Sequence, residues 1–157
     1  MFFVLLFLRS GQLQKGADQQ NKPIQLQVFL HYFLHLVFPF FIAFLFFRKE
    51  WKKVYLILLA TMLVDADHLL ATPVFQANRC SLGFHYLHTV YAIAVYFVLL
   101  FLPKPFNIIG IGLLLHMLAD LIDCMFMFNH CKVCLANAPA IEVLKAIANF
   151  FSPHLSL

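Results

Sequence analysis

Residues 28–47 read VFLHYFLHLVFPFFIAFLFF, an apolar run in which histidine stands at positions 31 and 35. A helix of this length spans about 30 Å, which is the thickness of the hydrocarbon core of a bilayer. The charged segment RKEWKK at 48–53 follows directly and ends the run. These residues predict a transmembrane helix that carries two ionisable side chains.

Three further apolar runs cover residues 54–71, 84–102 and 106–128, with polar or proline-containing connections between them. Apolar residues make up 63% of the chain and charged residues 11%, whereas soluble domains have about 45–50% and about 25%. So few charges could not cover a water-facing surface. We predict an all-α polytopic membrane protein, with about four transmembrane helices in an up-and-down bundle over residues 28–128.

The two ends of the chain carry weaker patterns. Residues 1–27 are interpreted as a leader that is poorly ordered or interfacial, because its apolar start is too short to span a bilayer and no small-residue cleavage site follows. Whether this leader belongs to the mature protein is left open. Residues 129–157 are predicted to form a tail with a short amphipathic helix at 138–151, lying at the membrane surface.

Basic residues in short loops predict the orientation of the bundle. Lys and Arg are concentrated at 48–53 and at Lys104, whereas the connection between the second and third helices has only Arg79. The positive-inside rule places the loop at 48–53 and the loop with Lys104 on the cytoplasmic side. The basic residues form no face interleaved with aromatic side chains, so nucleic-acid binding is not expected. The oligomeric state cannot be read from the sequence.

Ionisable residues interrupt each predicted span, and their depths place them all at the same end of the bundle. They are His31, His35, Asp65, Asp67, His68, His85, His88, His116, Asp120 and Asp123. Within each helix most of them are three, four or seven residues apart, so they share one face. Asp67 is the exception, and we expect it to act from a helix end or to orient a ligand.

Placing these residues in lipid requires compensation. An Asp at the centre of a spanning helix costs about 2.5–3.5 kcal/mol. Imidazole nitrogen and carboxylate oxygen are ligands of zinc and similar divalent ions, and a cation would also remove the repulsion between neighbouring carboxylates. The pattern therefore predicts a divalent metal site with one or two ions, zinc being the favoured metal.

The cysteines leave two interpretations open. Cys131 and Cys134 have the C-x-x-C spacing of a zinc knuckle or of a redox pair. Cys80 and Cys124 lie at the same predicted end of the bundle. Disulfides are compatible with an outward-facing end, but the spacing assigns no connectivity.

Several motifs together resemble a family of small bacterial membrane proteins of unknown function, itself similar to the YdjM-like inner-membrane proteins described as metal-dependent hydrolases. They are FLHYFLHLVFP at 29–39, LVDADH at 63–68, RCSLGFH at 79–85 followed by His88, and HMLAD at 116–120. The resemblance covers roughly residues 28–128. The chain departs from the wider hydrolase group at Val64, where that group has proline, and at Thr89, where serine is usual.

The resemblance implies a zinc-type hydrolase, similar to zinc-dependent phospholipases C, that acts on a phosphoester of a lipid or lipid-linked substrate. Together with the loop charges, it places the chain in the bacterial inner membrane with the site on the non-cytoplasmic side. The expected metal ligands are His35, Asp65, His88, His116 and Asp120. The expected catalytic residues are Asp67, His68 and His85, with support from His31 and Asp123. Arg79 is expected to bind a substrate phosphate.

Two other functions use the same residues. A non-enzymatic metal-binding or metal-transport protein would need the site without hydrolysis, but the opposite half of the spans is apolar and offers no conduction path. A haem protein with two axial histidines in a four-helix bundle is the third possibility. The clustered aspartates disfavour haem, and a visible absorption spectrum distinguishes it from zinc.

Overall fold

A computed structural model describes residues 21–70 and 80–151, and within these residues the chain is helical and has no strand. The α-helices are α1 Asn21–Tyr32, α2 Phe38–Phe46, α3 Trp51–Ala60, α4 Val90–Leu99, α5 Phe106–His130 and α6 Ile141–Phe151. Helix α5 is the longest and packs against α1, α3, α4 and α6. The prediction of an all-α chain is thereby confirmed.

A π-helical turn, Phe33–Val37, joins α1 to α2. Pro39 explains its position, because proline has no N–H to donate to the carbonyl of His35 four residues earlier. The N–H of Phe38 instead donates to the carbonyl of Phe33, five residues back. Wide turns of this kind are frequent at functional sites. Here the turn carries His35, of which only 3% is exposed.

The second predicted span is α-helical only as far as Ala60 and then continues as a 3₁₀ helix, Thr61–Leu70. At the change, the hydroxyl of Thr61 donates to the carbonyl of Leu58 at 2.6 Å and competes with the α-helical N–H for that acceptor. A 3₁₀ helix has three residues per turn, so Asp65 and His68 lie directly above one another. The expected α-helical spacing was wrong here.

The third predicted span contains a shorter helix than expected. Helix α4 begins at Val90 because Thr89 caps it, its hydroxyl accepting the N–H of Ala92 at 3.4 Å. His85 and His88 therefore precede the helix instead of sharing one of its faces, and a short 3₁₀ helix, Tyr86–His88, connects them.

Among the residues that the structure describes, two helical stretches are long and apolar enough to cross a membrane, Gln25–Phe46 and Phe106–His130. Large apolar side chains are exposed on both, including Phe29 at 67% and Phe46 at 74% on the first. Residues 25–27, at the end of the predicted leader, are helical in the first stretch. Residues 1–20 lie outside the part of the chain that the structure describes.

The tail packs against α5 through α6, and two disulfides lie close to it. Leu144 of α6 is fully buried, while Phe150 is 80% exposed, so one face of this helix packs against the bundle. Cys80 bonds to Cys124 within the core, and Cys131 bonds to Cys134 just after α5.

Gly112 marks the closest approach of α5 to the start of the 3₁₀ helix. A Cβ at this position would lie 2.6 Å from the Thr61 hydroxyl oxygen and 2.7 Å from its methyl carbon. Both atoms belong to a side chain that is itself buried, so there is little room for it to move.

We therefore expect Gly112→Ala to destabilise the protein, since overpacking costs about 1–3 kcal/mol and exceeds the gain of up to about 1 kcal/mol in helix propensity. Thermal unfolding in detergent measures the change. Leu118→Ala on the same helix is the control, because Leu118 is 49% exposed and its truncation should have a small effect. A higher melting temperature for Gly112→Ala would contradict the close approach.

Candidate metal centre

All ten ionisable residues predicted to converge are linked by contacts in the structure. Four segments supply them: the first helical stretch, the 3₁₀ helix after α3, the segment before α4, and α5. The connecting contacts are ion pairs, hydrogen bonds and imidazole ring contacts among His31, His35, Asp65, Asp67, His68, His85, His88, His116, Asp120 and Asp123.

Four of these residues place one ligand atom each around a common point. His116 Nε2 lies 3.1 Å from Asp65 Oδ1 and 3.5 Å from Asp120 Oδ2. His88 Nε2 lies 3.1 Å from Asp120 Oδ2 and 3.5 Å from Asp65 Oδ1. Ligand atoms around a tetrahedral zinc ion, with bonds of about 2.0 Å, are about 3.3 Å apart. All four ligand atoms lie within 4.8 Å of one another, so they are close enough to bind one divalent ion, and we call these residues the metal quartet.

Three residues of the quartet are buried, Asp65 is partly exposed, and the quartet is incompletely hydrogen-bonded. His88 is 1% exposed and Asp120 is 6% exposed. Their facing atoms, His88 Nε2 and Asp120 Oδ2, are 3.1 Å apart as an ion pair but do not meet the angles of a hydrogen bond with each other or with another described residue. Buried polar atoms normally have partners, and two carboxylates in one buried cluster repel each other. A divalent cation would satisfy the two atoms and neutralise the carboxylates, so the donor set fits such an ion.

His35, a predicted ligand, lies beside the quartet. Its Nε2 is 3.8 Å from Asp120 Oδ1 and has no hydrogen bond with the described residues. Its ring centre is 4.6 Å from that of His116. His35 is therefore a neighbour of the quartet, and the other four predicted ligands form the group whose ligand atoms lie within 4.8 Å of one another.

Asp67 supports the quartet from behind. Its Oδ2 accepts the backbone N–H of Leu87 at 2.8 Å and lies 3.2 Å from His88 Nδ1. A carboxylate that accepts the Nδ1 proton leaves the Nε2 lone pair directed at the ion, an arrangement common around metal-binding histidines. Asp67 was expected either to act from a helix end or to orient a ligand, and its contact with His88 fits the second role.

Asp67→Asn should weaken binding of Zn²⁺ by about 10–100-fold, because loss of such a supporting partner typically has this effect. Isothermal titration with Zn²⁺ measures it. The neutral amide keeps the size of the side chain, so the fold should persist. An unchanged affinity would show that Asp67 does not orient His88.

His68 and His85 form a polar wall next to Asp65. His68 Nδ1 lies 3.1 Å from Asp67 Oδ1, and its Nε2 lies 3.1 Å from the hydroxyl of Ser81. The rings of His68 and His85 stack at 3.7 Å and are inclined by only 24°. With Asp67 they are close enough to surround an ion. However, two nearly parallel stacked rings cannot both aim an in-plane lone pair at one ion, so we assign the metal to the quartet.

Two partly exposed side chains mark the open side of the cluster. The Asp65 side chain is 32% exposed and that of His31 is 36% exposed. His31 Nδ1 pairs with Asp123 Oδ2, and its ring lies 4.4 Å from that of His35. Arg79, the predicted phosphate ligand, lies outside the described residues. Ser81 had no signal in the sequence, because its contact with His68 depends on how two segments meet.

The fold and the site define this chain as a helical protein with a buried candidate metal centre and two helices of membrane-spanning length. The chain belongs to a family of unknown function, DUF6122, whose model matches residues 25–127. The matched range contains every residue of the cluster and ends before Cys131. No curated protein sequence and no solved structure matches the chain.

Proposed function

We propose that this chain is a membrane-embedded, metal-dependent hydrolase that cleaves a phosphoester of a lipid or lipid-linked substrate. The observation that carries the proposal is the metal quartet, in which two imidazoles and two carboxylates are close enough to bind one divalent ion, most simply Zn²⁺. The resemblance of the motifs to YdjM-like hydrolases supports the choice of reaction.

Some residues of the site would bind the metal ion, and others would transfer protons. The quartet and His35 would hold the metal, and Asp67 would orient His88. A bound divalent ion would supply polarisation of the phosphoryl oxygen and a lowered pKa of water. His68, placed between Asp67 and Ser81, would move a proton at the Asp65 side of the site, and the stacked His85 would fix its ring.

The surroundings of the site favour a substrate that comes from the bilayer. Apolar side chains directly next to the polar wall are exposed: Leu69 follows His68 and is 58% exposed, and Tyr86 follows His85 and is 78% exposed. A lipid could keep its acyl chains against such residues while its headgroup reached Asp65. We accordingly propose four spans, at 28–47, 54–71, 84–102 and 106–128.

The disulfides support an outward-facing site in the inner membrane. Cys124 is adjacent to Asp123 of the cluster, and Cys80 is adjacent to Ser81, which contacts His68. Disulfides persist in oxidising compartments and are rare in the cytosol. A site flanked by a disulfide is therefore best placed on the non-cytoplasmic side, in agreement with the loop charges.

The test measures headgroup release from a phospholipid in detergent micelles by purified protein, before and after chelation and after addition of Zn²⁺. We expect chelation to abolish hydrolysis and Zn²⁺ to restore it. Asp65→Asn should be inactive, whereas His130→Ala, an exposed residue outside the cluster, should keep activity. Hydrolysis that survives complete removal of metal would overturn the proposal.

A metal-binding protein without hydrolysis is the second candidate, and one observation favours it. Four protein ligands fill a tetrahedral shell, which is typical of structural zinc sites, whereas catalytic sites keep one position open. The hydrolysis assay distinguishes the two functions. Stoichiometric Zn²⁺ without cleavage of any phosphoester would select the second candidate, and uptake of Zn²⁺ into proteoliposomes would then test transport.

A further inference from the structure

The loop that follows α5 contains a disulfide that the proposed function does not use. Cys131 and Cys134 are bonded across a separation of three residues. Cys134, Lys132 and Val133 are exposed, Val133 by 86%, and Cys131 is partly exposed. We propose that this bridge is a thiol–disulfide exchange site, which accepts two electrons from an external dithiol.

The bridge is dispensable for the local fold. The N–H of Cys131 donates to the carbonyl of Met127 at 2.8 Å, and the N–H of Cys134 donates to the carbonyl of Cys131 at 3.2 Å. The next turn is closed by the N–H of Leu135, which donates to the carbonyl of Lys132. Backbone hydrogen bonds therefore hold both cysteines in one turn, and reduction would leave that turn in place.

The geometry favours one direction of attack. Cys134 is the more exposed cysteine, which favours approach of an external thiolate from its side. The N–H of Cys134 also lies 3.2 Å from Cys131 Sγ, where it would stabilise a thiolate on Cys131 as the leaving group. A leaving thiol of lower pKa departs faster, so attack at Cys134 is preferred.

The exchange balances without another reactant. The first thiolate of the dithiol bonds to Cys134 Sγ, and the bond to Cys131 breaks and leaves the electron pair on Cys131 Sγ. The second thiolate of the dithiol then attacks its own partner sulfur in the mixed disulfide and releases Cys134. The dithiol is oxidised to a disulfide, the two cysteines are reduced, and protons pass from the dithiol to the two cysteines.

The charge of the loop suits an anionic attacker. His130 and Lys132 are exposed on either side of Cys131, and residues 129–137 contain no acidic side chain. A positive local charge raises the encounter rate with a thiolate. Both a small dithiol and the C-x-x-C pair of a reductase present this chemistry.

The second disulfide provides an internal reference for the test. Cys80 and Cys124 are 2% and 1% exposed, so their bridge should resist a reductant in the folded protein. The full chain is incubated in detergent with dithiothreitol, or with a reduced protein that carries a C-x-x-C pair, and the thiols are alkylated and located by mass spectrometry. We expect Cys131 and Cys134 to be reduced on the order of 100-fold faster than Cys80 and Cys124. Equal rates would overturn the proposal, while reduction by dithiothreitol alone would identify a small dithiol as the partner.

Trapping of the mixed disulfide tests the direction of attack. The oxidised chain is incubated with a monothiol, free thiols are alkylated, and the adduct is located by mass spectrometry; we expect it mainly at Cys134, because Cys131 is then the leaving thiolate. An adduct mainly at Cys131 would refute the proposed attack at Cys134. The double variant Cys131→Ser/Cys134→Ser should bind Zn²⁺ as the parent does. If it loses both Zn²⁺ and its fold, the bridge is structural and the exchange proposal fails, whatever the outcome of the hydrolysis test.

Discussion

His116→Ala is expected to lose stoichiometric metal, with Zn²⁺ affinity reduced by more than about 100-fold. Loss of a supporting partner alone costs up to about that factor, and His116 is a ligand itself in the proposed quartet. It is 3% exposed, and its Nε2 lies 3.1 Å from Asp65 Oδ1 and 3.5 Å from Asp120 Oδ2. Alanine would leave two carboxylates with one imidazole fewer to share an ion.

Elemental analysis of protein purified without chelator, followed by Zn²⁺ titration of the metal-free protein, measures this effect. Asp65→Ala should behave in the same way. His130→Ala is the matched control, because His130 lies on the same helix but is exposed and outside the cluster. If the parent contains no stoichiometric metal, or if His116→Ala binds as the parent does, the quartet is not a metal site.

The convergence of the site could be predicted from the sequence because it depends on few quantities. Depth along alternating helices placed His35, His88 and His116 at one end. An unpaired carboxylate in an apolar helix has a high energetic cost, so the aspartates at the same end were expected to have partners. The structure brings the three histidines together with Asp65 and Asp120. Neither depth nor energetic cost depends on the exact type of helix, so both remain valid although the backbone contains a π turn and a 3₁₀ helix.

The local geometry of the ligands could not be predicted in the same way. The sequence pattern assumed α-helical spacing, yet His35 lies in a π turn and Asp65 in a 3₁₀ helix. Pro39 is a signal for the first, because it removes an N–H one turn after His35. No comparable sequence signal marks the 3₁₀ helix, because the hydrogen bond from the Thr61 hydroxyl to the Leu58 carbonyl is seen only in the folded structure.

The disulfide connectivity was also beyond the sequence. Four cysteines allow three pairings, and spacing alone does not choose between them. The structure pairs Cys80 with Cys124 because the loop before α4 packs against α5, and this contact joins residues separated by 44 positions. Sequence patterns describe single helices well but contain little information about which loop covers which helix.

Removing the Cys80–Cys124 bridge should give the largest loss of stability. A disulfide that closes a loop of this separation stabilises the folded state by about 4 kcal/mol in the chain-entropy treatment. We expect Cys80→Ser/Cys124→Ser to lower the free energy of unfolding by an amount of that order. Thermal or denaturant unfolding in detergent measures it. Cys131→Ser/Cys134→Ser is the control, because the bridge that it removes closes only a short loop.

The same substitution should also weaken Zn²⁺ binding, because the bridge joins two segments that carry parts of the site. Cys80 precedes Ser81, which contacts His68, and Cys124 follows Asp123, which pairs with His31. Without the bridge, the segment with His88 can move away from α5, and the quartet loses its fixed spacing. A zinc affinity unchanged in the double variant, despite a lower stability, would show that packing alone holds the ligands in place.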